Sequence, residues 1–496
     1  MTIYHINKGI GWASSGVEYA QKYRSDIFIQ AGMEQHFVFT DYLGTNLIHF
    51  TSLLGLRGGE VIGIYSYMAG QENHESSYPI HSFEQQLQGD FSLKEEEGAV
   101  LYEMVQENVA YRVWTIEQKY VDRVDYLVNG KLVAADHYSD RLTNTEYYQN
   151  GQLVSRTFFS ETGEVTLQQF YQNKAITLTR WKNQVLIGRN AFFQTFFKQL
   201  SWSKSDVVLI DRNLNVADAV LPQLRGAKVG VIIHAEHYNL NYSEANWVLW
   251  NNHYEYVFTN AAIIDWFITA TEAQAKKLAE HFQMMHQDTT KIHAIPVGCI
   301  DQIVESDIKK NRFKLMTASR LASEKHLDIL IQAVVLVKEH FPLVTLDIYG
   351  EGGCKGELEK LIQELHAENY IQLKGHHSMA EKYVQYGGYL SASYSEGFGL
   401  TLLEAVSFGL PIVGFDVPYG NPTFIKSGVN GYLVRKGSDK ENVTLMAEAI
   451  RKLLNPSFDF QKSTTYAREK AAGYTIKEVG DLWKRLFDFP QKEGKV

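Results

Sequence analysis

The sequence predicts an α/β protein made of two doubly wound parallel sheets, with an antiparallel β-meander inserted into the first. Three observations carry this prediction. The chain has 496 residues, more than one hydrophobic core usually supports. Apolar strand-like runs alternate with helical patterns through its middle and C-terminal stretches. Ahead of them lies a region in which that alternation stops and Asn-Gly pairs recur.

The first element is a short strand through Ile3 and Ile6, followed by a loop bearing Gly9, Gly11 and Gly16 and a helix from about Val17. From Gly44 to Asn183 the pattern is different. Tyr126-Leu-Val-Asn-Gly-Lys-Leu-Val133 and Tyr147-Tyr-Gln-Asn-Gly-Gln-Leu-Val154 repeat at a spacing of twenty-one residues, and Thr162-Gly163 echoes them. Asn-Gly between β-rich runs marks a type I′ hairpin, whose two central residues both need positive φ, so successive copies imply a meander. Parallel α/β strands then follow at Val207–Ile210, Val229–Ile233, Tyr256–Phe258 and Phe267–Ile268, with a helix from Glu272. After Pro296-Val297-Gly298 a second series comprises Lys314–Ala318, Leu346–Tyr349, Ile371–Leu373, Tyr389–Ala392 and Pro411–Phe415, with a helix from His326 to His340. Ligands of such sheets bind beyond the carboxyl ends of the strands, here in a cleft between the two.

Composition narrows the function. Acidic residues outnumber basic ones, 57 to 48, for a net charge of -9, which argues against nucleic acid or anionic lipid as a broad partner. Cys299 and Cys354 are too few for a disulfide framework or a cysteine-rich metal site, and a reducing cytoplasmic setting fits them. The N-terminus does not read as a secretory signal, and no run has transmembrane length. The 29 tyrosines suit sheet faces, carbohydrate stacking or interfaces without choosing among them.

Chemistry concentrates in Ser395-Glu-Gly-Phe-Gly-Leu-Thr-Leu-Leu-Glu-Ala405. Gly397 and Gly399 let backbone amides approach an anion, and the following helix adds the partial positive charge of its N-terminus. Glu396 is placed for sugar hydroxyls and Glu404 for a ribose diol. A capping box between Thr401 and Glu404 accounts for the same residues without a ligand. Arg320 and Lys325, between a strand and a helix at the same sheet end, supply a planar fork and a mobile point charge for a leaving diphosphate; as two solvated loop cations they would do nothing.

Other motifs are weaker. Neither a Walker-type loop nor a D-x-D triplet is present, so phosphate charge falls to protein groups and no metal is expected. Gly9, Gly11 and Gly16 do not match G-x-G-x-x-G. His234-Ala-Glu-His237 follows a buried-looking strand but is not H-E-x-x-H, so His234 is either a structural hydrogen-bonder or a contact for the transferred sugar.

Glu396 to Glu404 resembles the E-x7-E motif of retaining family-4 glycosyltransferases, and Arg320 with Lys325 resembles their phosphate-binding cations. Met1-Thr-Ile-Tyr4, Gly9-Ile-Gly-Trp-Ala-Ser-Ser-Gly-Val-Glu-Tyr-Ala-Gln21, His234-Ala-Glu-His237 and Gly414-Phe-Asp-Val-Pro-Tyr-Gly-Asn421 extend this. Together they resemble the catalytic glycosyltransferase A subunits of bacterial accessory secretion systems, which O-glycosylate serine-rich repeat adhesins. The resemblance covers nearly the whole chain.

It implies a GT-B fold of two Rossmann-like domains facing a cleft. The first comprises residues 1–43 and 184–300, the inserted meander 44–183, the nucleotide-sugar domain 301–472, and a crossing helix within 473–496, read at Ile476 to Phe487. It implies transfer of N-acetylglucosamine, or glucose, from a UDP-sugar to serine or threonine with retention and without metal. Arg320 and Lys325 would hold the diphosphate, Glu404 the ribose, and Glu396 with the Phe398, Gly399, Leu400 and Thr401 amides the sugar and phosphate. Gly16 would face the diphosphate from the other domain, His234 the sugar 6-hydroxyl, and Gly375 and His376 the uracil. Implied partners are the adhesin, a homologous B subunit or further copies joined through the meander, and the membrane export machinery at the inner face of the cell membrane, but no nucleic acid. A polysaccharide or lipid-linked acceptor, and a non-catalytic chaperone subunit, are the competing readings.

Overall fold

A computed structural model describes residues 1–11, 15–44, 46–104, 107–244, 246–304, 310–377, 379 and 382–487. Trp12 to Ser14 of the N-terminal resemblance, and residues 488–496 of the terminal segment, lie outside the described residues. The chain forms two compact units: Met1–Ser14, Met33–Val231 and Asn252–Asp265 in the first, and Ser15–Gly32, Ile232–Asn251 and Trp266–Val496 in the second.

In the first unit a parallel sheet runs Val61–Gly63, Glu34–Phe39, Thr2–Asn7, Val207–Ile210 and Lys228–Ile233. Its central strands are buried on both faces, as apolar continuity requires of a parallel sheet. Val61–Gly63 comes from within 44–183, ahead of the meander. The meander itself is antiparallel, ten strands from Phe91–Glu96 to Gln184–Ile187 in which each pairs with the next, with Tyr78–Pro79 added beside Tyr120–Val128. Asn129 and Gly130 have φ of 50° and 71°, and Asn150 and Gly151 50° and 72°, the left-handed pair that a type I′ turn demands. Between two middle strands of the meander lies a buried ion pair: Arg156 donates from Nε and Nη2 to one oxygen of Glu146, Oε1, and its guanidinium lies 3.7 Å from the ring centroid of Tyr42.

One expected strand is a helix. Glu255–Thr259 is α-helical, so Tyr256–Phe258 does not extend the sheet. Tyr254, Val257 and Phe258 are buried while Tyr256 is exposed, an i, i+3, i+4 face rather than the continuous burial of a central strand. The β propensity of Tyr-Val-Phe gave way to that packing.

In the second unit a six-stranded parallel sheet has the order Ile371–Gly375, Thr345–Tyr349, Asn311–Ala318, Tyr386–Ser391, Ile412–Phe415 and Gly431–Val434. Numbered along the chain this is 3-2-1-4-5-6, the order of a dinucleotide-binding sheet, which reverses direction between Asn311–Ala318 and Tyr386–Ser391. The expected helix at Ile476–Phe487 forms over those residues. Its Trp483 meets Phe28 edge-on at 5.4 Å and lies under Arg24 at 5.9 Å, both on the helix Gly16–Gln30.

Candidate active site

The switch point of a doubly wound sheet is where adjacent strands send their following loops to opposite faces, leaving a crevice at their carboxyl ends. Here a pocket occupies that place. It is lined by Thr317, Ala318 and Ser319 from one strand end, by Tyr389, Ser391 and Ser393 from the other, and by Lys325, Glu396, Thr401 and Leu402. Lys325 Nζ donates to Glu396 Oε2 at 2.9 Å, each side chain 20% exposed, so a cation and a carboxylate from loops seventy-one residues apart meet at the crevice floor.

The glycine loop enters the helix Leu400–Ser407 through Gly399, which caps it with φ +87° and no side-chain bond. A Cβ there would stand 2.5 Å from Leu402 Cδ1, so only glycine lets the turn close. The capping box open to Thr401 and Glu404 does not form. The Thr401 hydroxyl is hydrogen-bonded to Tyr389 Oη at 2.8 Å, Glu404 accepts from Tyr383 Oη at 2.6 Å, and the Tyr23 phenol interacts electrostatically with the same carboxylate. Tyr389 also donates to the Ala318 carbonyl at 2.9 Å, tying the strand end to the helix start. Burial raises the pKa of Glu404, and the two phenols oppose the rise. Phe398 is buried against Phe424 and Tyr474, with centroids 5.2 and 5.9 Å away. Leu400 closes on Gly298, whose Cβ would lie 2.3 Å from Leu400 Cδ2.

The segment from His234 to His237 joins the same site. A Cβ on Gly397 would stand 2.8 Å from the His234 carbonyl oxygen. Tyr419, whose backbone bridges to Glu396, donates its hydroxyl to Glu236 Oε1 at 2.7 Å. His237 is buried, and its Nε2 lies 3.0 Å from His281 Nδ1. Burial, with His281 and Lys277 adding to it, pushes His237 down to about 3. It is therefore a neutral, structural imidazole.

Several expected site residues lie outside the pocket lining, Arg320, Gly16, Gly375 and His376 among them. Arg320 is 53% exposed and pairs with Glu324 at 2.7 Å. Gly16 is the exposed first residue of the helix Gly16–Gln30, behind a capping box of Ser15 and Glu18. Gly375 ends its strand at φ +72° and accepts from Gly350 N at 2.9 Å, and His376 beyond it is exposed. Sequence reasoning missed Tyr23, Tyr383 and Tyr389, which carry no motif. It also missed Gly350-Glu-Gly-Gly353, which was legible as a glycine cluster after a strand. A Cβ on Gly350 would lie 1.9 Å from the Ser319 carbonyl oxygen, so this loop seats the segment that bears Arg320 and Lys325. Among the described residues one trio, the exposed Glu72, His74 and Glu161 of the first unit, brings metal-ligating atoms together.

Residues 300–471 match the family of glycosyl transferases group 1, and residues 92–179 match the GtfA extended beta-sheet domain. With its two parallel α/β sheets and antiparallel extended sheet, the fold is that of a GT-B glycosyltransferase. The GtfA subunit of UDP-N-acetylglucosamine–peptide N-acetylglucosaminyltransferase from Streptococcus parasanguinis is 40% identical over 501 residues, covering 98% of this chain and 99% of its own. The crystal structure of the pneumococcal O-GlcNAc transferase GtfA in complex with UDP and GlcNAc superposes with a TM-score of 0.93 at 37% identity, over 98% of each chain. A chain of the GtfA/B complex gives 0.87 at 35% identity, over 98% of this chain and 99% of its own. The chain belongs to the GtfA subunit family of UDP-N-acetylglucosamine–peptide N-acetylglucosaminyltransferases. No helix among the described residues is long and apolar enough to cross a membrane.

Proposed function

We propose that this chain transfers N-acetylglucosamine from UDP-N-acetylglucosamine to serine and threonine hydroxyls of a serine-rich repeat protein, with retention at the anomeric carbon. The observation that carries this reading is the Lys325–Glu396 pair at 2.9 Å, seated at the switch point beside a glycine-capped helix start. Lys325 and Arg320 neutralise the diphosphate, Arg320 exchanging Glu324 for phosphate, while the amides from Phe398 through Gly399 and Leu400 to Thr401 cradle it. Glu396 holds the sugar, Glu404 the ribose, His234 the sugar 6-hydroxyl, and the Gly375–His376 backbone the uracil edge. Gly16 approaches the diphosphate from the start of its helix.

The acceptor hydroxyl attacks from the face the diphosphate leaves, and a leaving-group oxygen takes its proton. Glu396 and Glu404 are thus binding groups, not the acid and nucleophile of a glycosidase. Charge on the diphosphate is met by the two cations and the helix, without a metal. Residues 1–43 with 184–300 serve the acceptor, 44–183 the partners, and 301–472 the donor, with the helix in 473–496 crossing back. The GtfA/B complex, to which the chain is similar over nearly its full length, supports a B subunit as partner. The enzyme works in the cytoplasm, against the inner face of the membrane where its acceptor is exported.

Incubating the purified chain, alone and with a B subunit, with labelled UDP-N-acetylglucosamine or UDP-glucose and a serine-rich peptide tests this. Label in the peptide from the first donor is the expected result. Label only in polymer or lipid would move the acceptor, and none in any fraction would leave a non-catalytic subunit.

A further inference from the structure

Tyr419 holds a backbone conformation that bulky side chains rarely adopt. Its φ of 77° and ψ of -81° fall near the rare, strained form of the γ-turn, where a residue other than glycine persists only when its surroundings over-determine it. Here they do so from three sides. On the first, Asn421 is fully buried and donates from Nδ2 to the Phe415 carbonyl at 2.8 Å, which ties the turn to the end of the strand Ile412–Phe415. On the second, the Tyr419 backbone bridges to Glu396, Gly420 N donates to the Glu396 carbonyl at 2.7 Å, and a Cβ on Gly420 would stand 2.7 Å from Glu396 Cγ. On the third, the buried phenol reaches the segment after His234 and donates to Glu236 Oε1 at 2.7 Å. That segment is fixed in turn, Gln274 donating to the Ala235 carbonyl at 2.9 Å and Asn251 to the Glu236 carbonyl at 3.1 Å.

Together these contacts define a distance. The His234 carbonyl oxygen, 2.8 Å from where a Cβ of Gly397 would stand, is a hard stop on how closely the two segments approach, and the Tyr419–Glu236 bond is a tether on how far apart they sit. One residue serves both segments, its backbone paired with Glu396 and its phenol with Glu236. We propose that Tyr419 and Glu236 are positioning residues that set the separation of Glu396 and His234, and so fit the site to the transferred sugar. This rests on the reading of Glu396 and His234 as the sugar contacts. None of these contacts involves Glu404 or the Gly375–His376 backbone, the groups assigned to ribose and uracil, so the effect falls on the sugar and spares the nucleotide.

Titration calorimetry with UDP-N-acetylglucosamine and with UDP on the full chain tests this, using Tyr419→Phe, Glu236→Ala, the double variant, Glu236→Gln and Glu396→Gln. Phenylalanine keeps the ring and removes only the hydroxyl, while glutamine at 236 keeps an acceptor oxygen. Tyr419→Phe and Glu236→Ala are each expected to lose roughly tenfold in affinity for the UDP-sugar, as the loss of one bond to a carboxylate implies, with UDP affinity unchanged. The double variant should lose no more than either alone, because both changes remove the same tether. Glu236→Gln should restore most of the affinity. If Glu396→Gln weakens the UDP-sugar alone while Tyr419→Phe and Glu236→Ala bind it as wild type does, weaken UDP equally, or add their losses in the double variant, the pair merely packs and the proposal fails. If Glu396→Gln weakens neither ligand, or both alike, the sugar reading falls and takes the proposal with it.

Discussion

The carbonyl oxygen of His234 lies 2.8 Å from the point where a Cβ on Gly397 would stand. The strand-end histidine and the glycine loop, 163 positions apart in the sequence, are thus in direct register, with no space for a methyl group. Neither neighbour can yield cheaply, since Gly397 is followed by the buried Phe398 and His234 by a segment bonded to Gln274 and Tyr419. Gly397→Ala should therefore push His234 away from the place proposed for it beside the transferred sugar. The expected result is a fall in transfer of at least tenfold, with a cost of about 1–3 kcal/mol in unfolding free energy from overpacking. Steady-state kinetics beside chemical denaturation checks it; unchanged turnover would show that His234 has no part in the reaction.

Lys325 meets Glu396 at 2.9 Å on the pocket floor. In the donor complex its ammonium is assigned to charge that grows as the diphosphate leaves, so Lys325→Ala should lower kcat by roughly 10²- to 10³-fold. Stability should change little, because the pair is still partly solvated. Arginine at this place brings a planar fork in place of a point charge and should restore only part of the rate. Rates with saturating UDP-sugar, alongside thermal melts, separate the two effects.

The paired imidazoles of His237 and His281 predict how the fold responds to acid. Burial depresses both, His237 to about 3 and His281 to about 4, from an ordinary 6.5. Both are neutral in the folded chain and titrate near 6.5 once unfolded, so their contribution is complete above that pH. It drains away as pH falls from 6.5 toward 3, where the unfolded chain binds more protons. Each histidine adds at most about 1.4 kcal/mol per pH unit to the slope. Urea denaturation between pH 7.5 and 5 should show a steeper loss in the wild type than in His281→Gln. Equal slopes would mean that the pair is solvated.

Transfer should survive EDTA, with the diphosphate met by Lys325, Arg320 and the helix start rather than by a bound cation. Magnesium held between phosphates and one or two carboxylates is the alternative, and it would be visible as a rate abolished by chelation and restored by added metal. Initial rates after exhaustive chelation, with and without manganese, decide the matter.

Much of the architecture could be read one stretch at a time. The Asn-Gly turns were legible because positive φ at two consecutive positions is a local demand that few residues meet. The strands of the second unit's sheet were legible because a strand covered on both faces is predominantly apolar. Tyr256–Phe258 was misread because three bulky residues suit a strand or a helix equally until the surface they pack on is known. Within the site, Glu396, Gly399 and Lys325 came from motif and spacing. Tyr23, Tyr383 and Tyr389 did not, since a tyrosine in a chain with 29 of them carries no signal of its own.

Local chemistry along the chain therefore determined the two α/β halves, the meander and the glycine-lined loop with its acidic residues, because periodicity, turn chemistry and backbone permissiveness depend on neighbours in sequence. Only tertiary structure decided that Lys325 meets Glu396, that Gly397 abuts His234, that Arg320 rests on Glu324, and that Glu404 is held by the Tyr383 phenol instead of capping its helix. Those contacts bring together groups far apart in sequence, or choose between neighbours that are equally eligible. Their partners are selected by burial, where a polar atom must find whichever mate the packing leaves within reach.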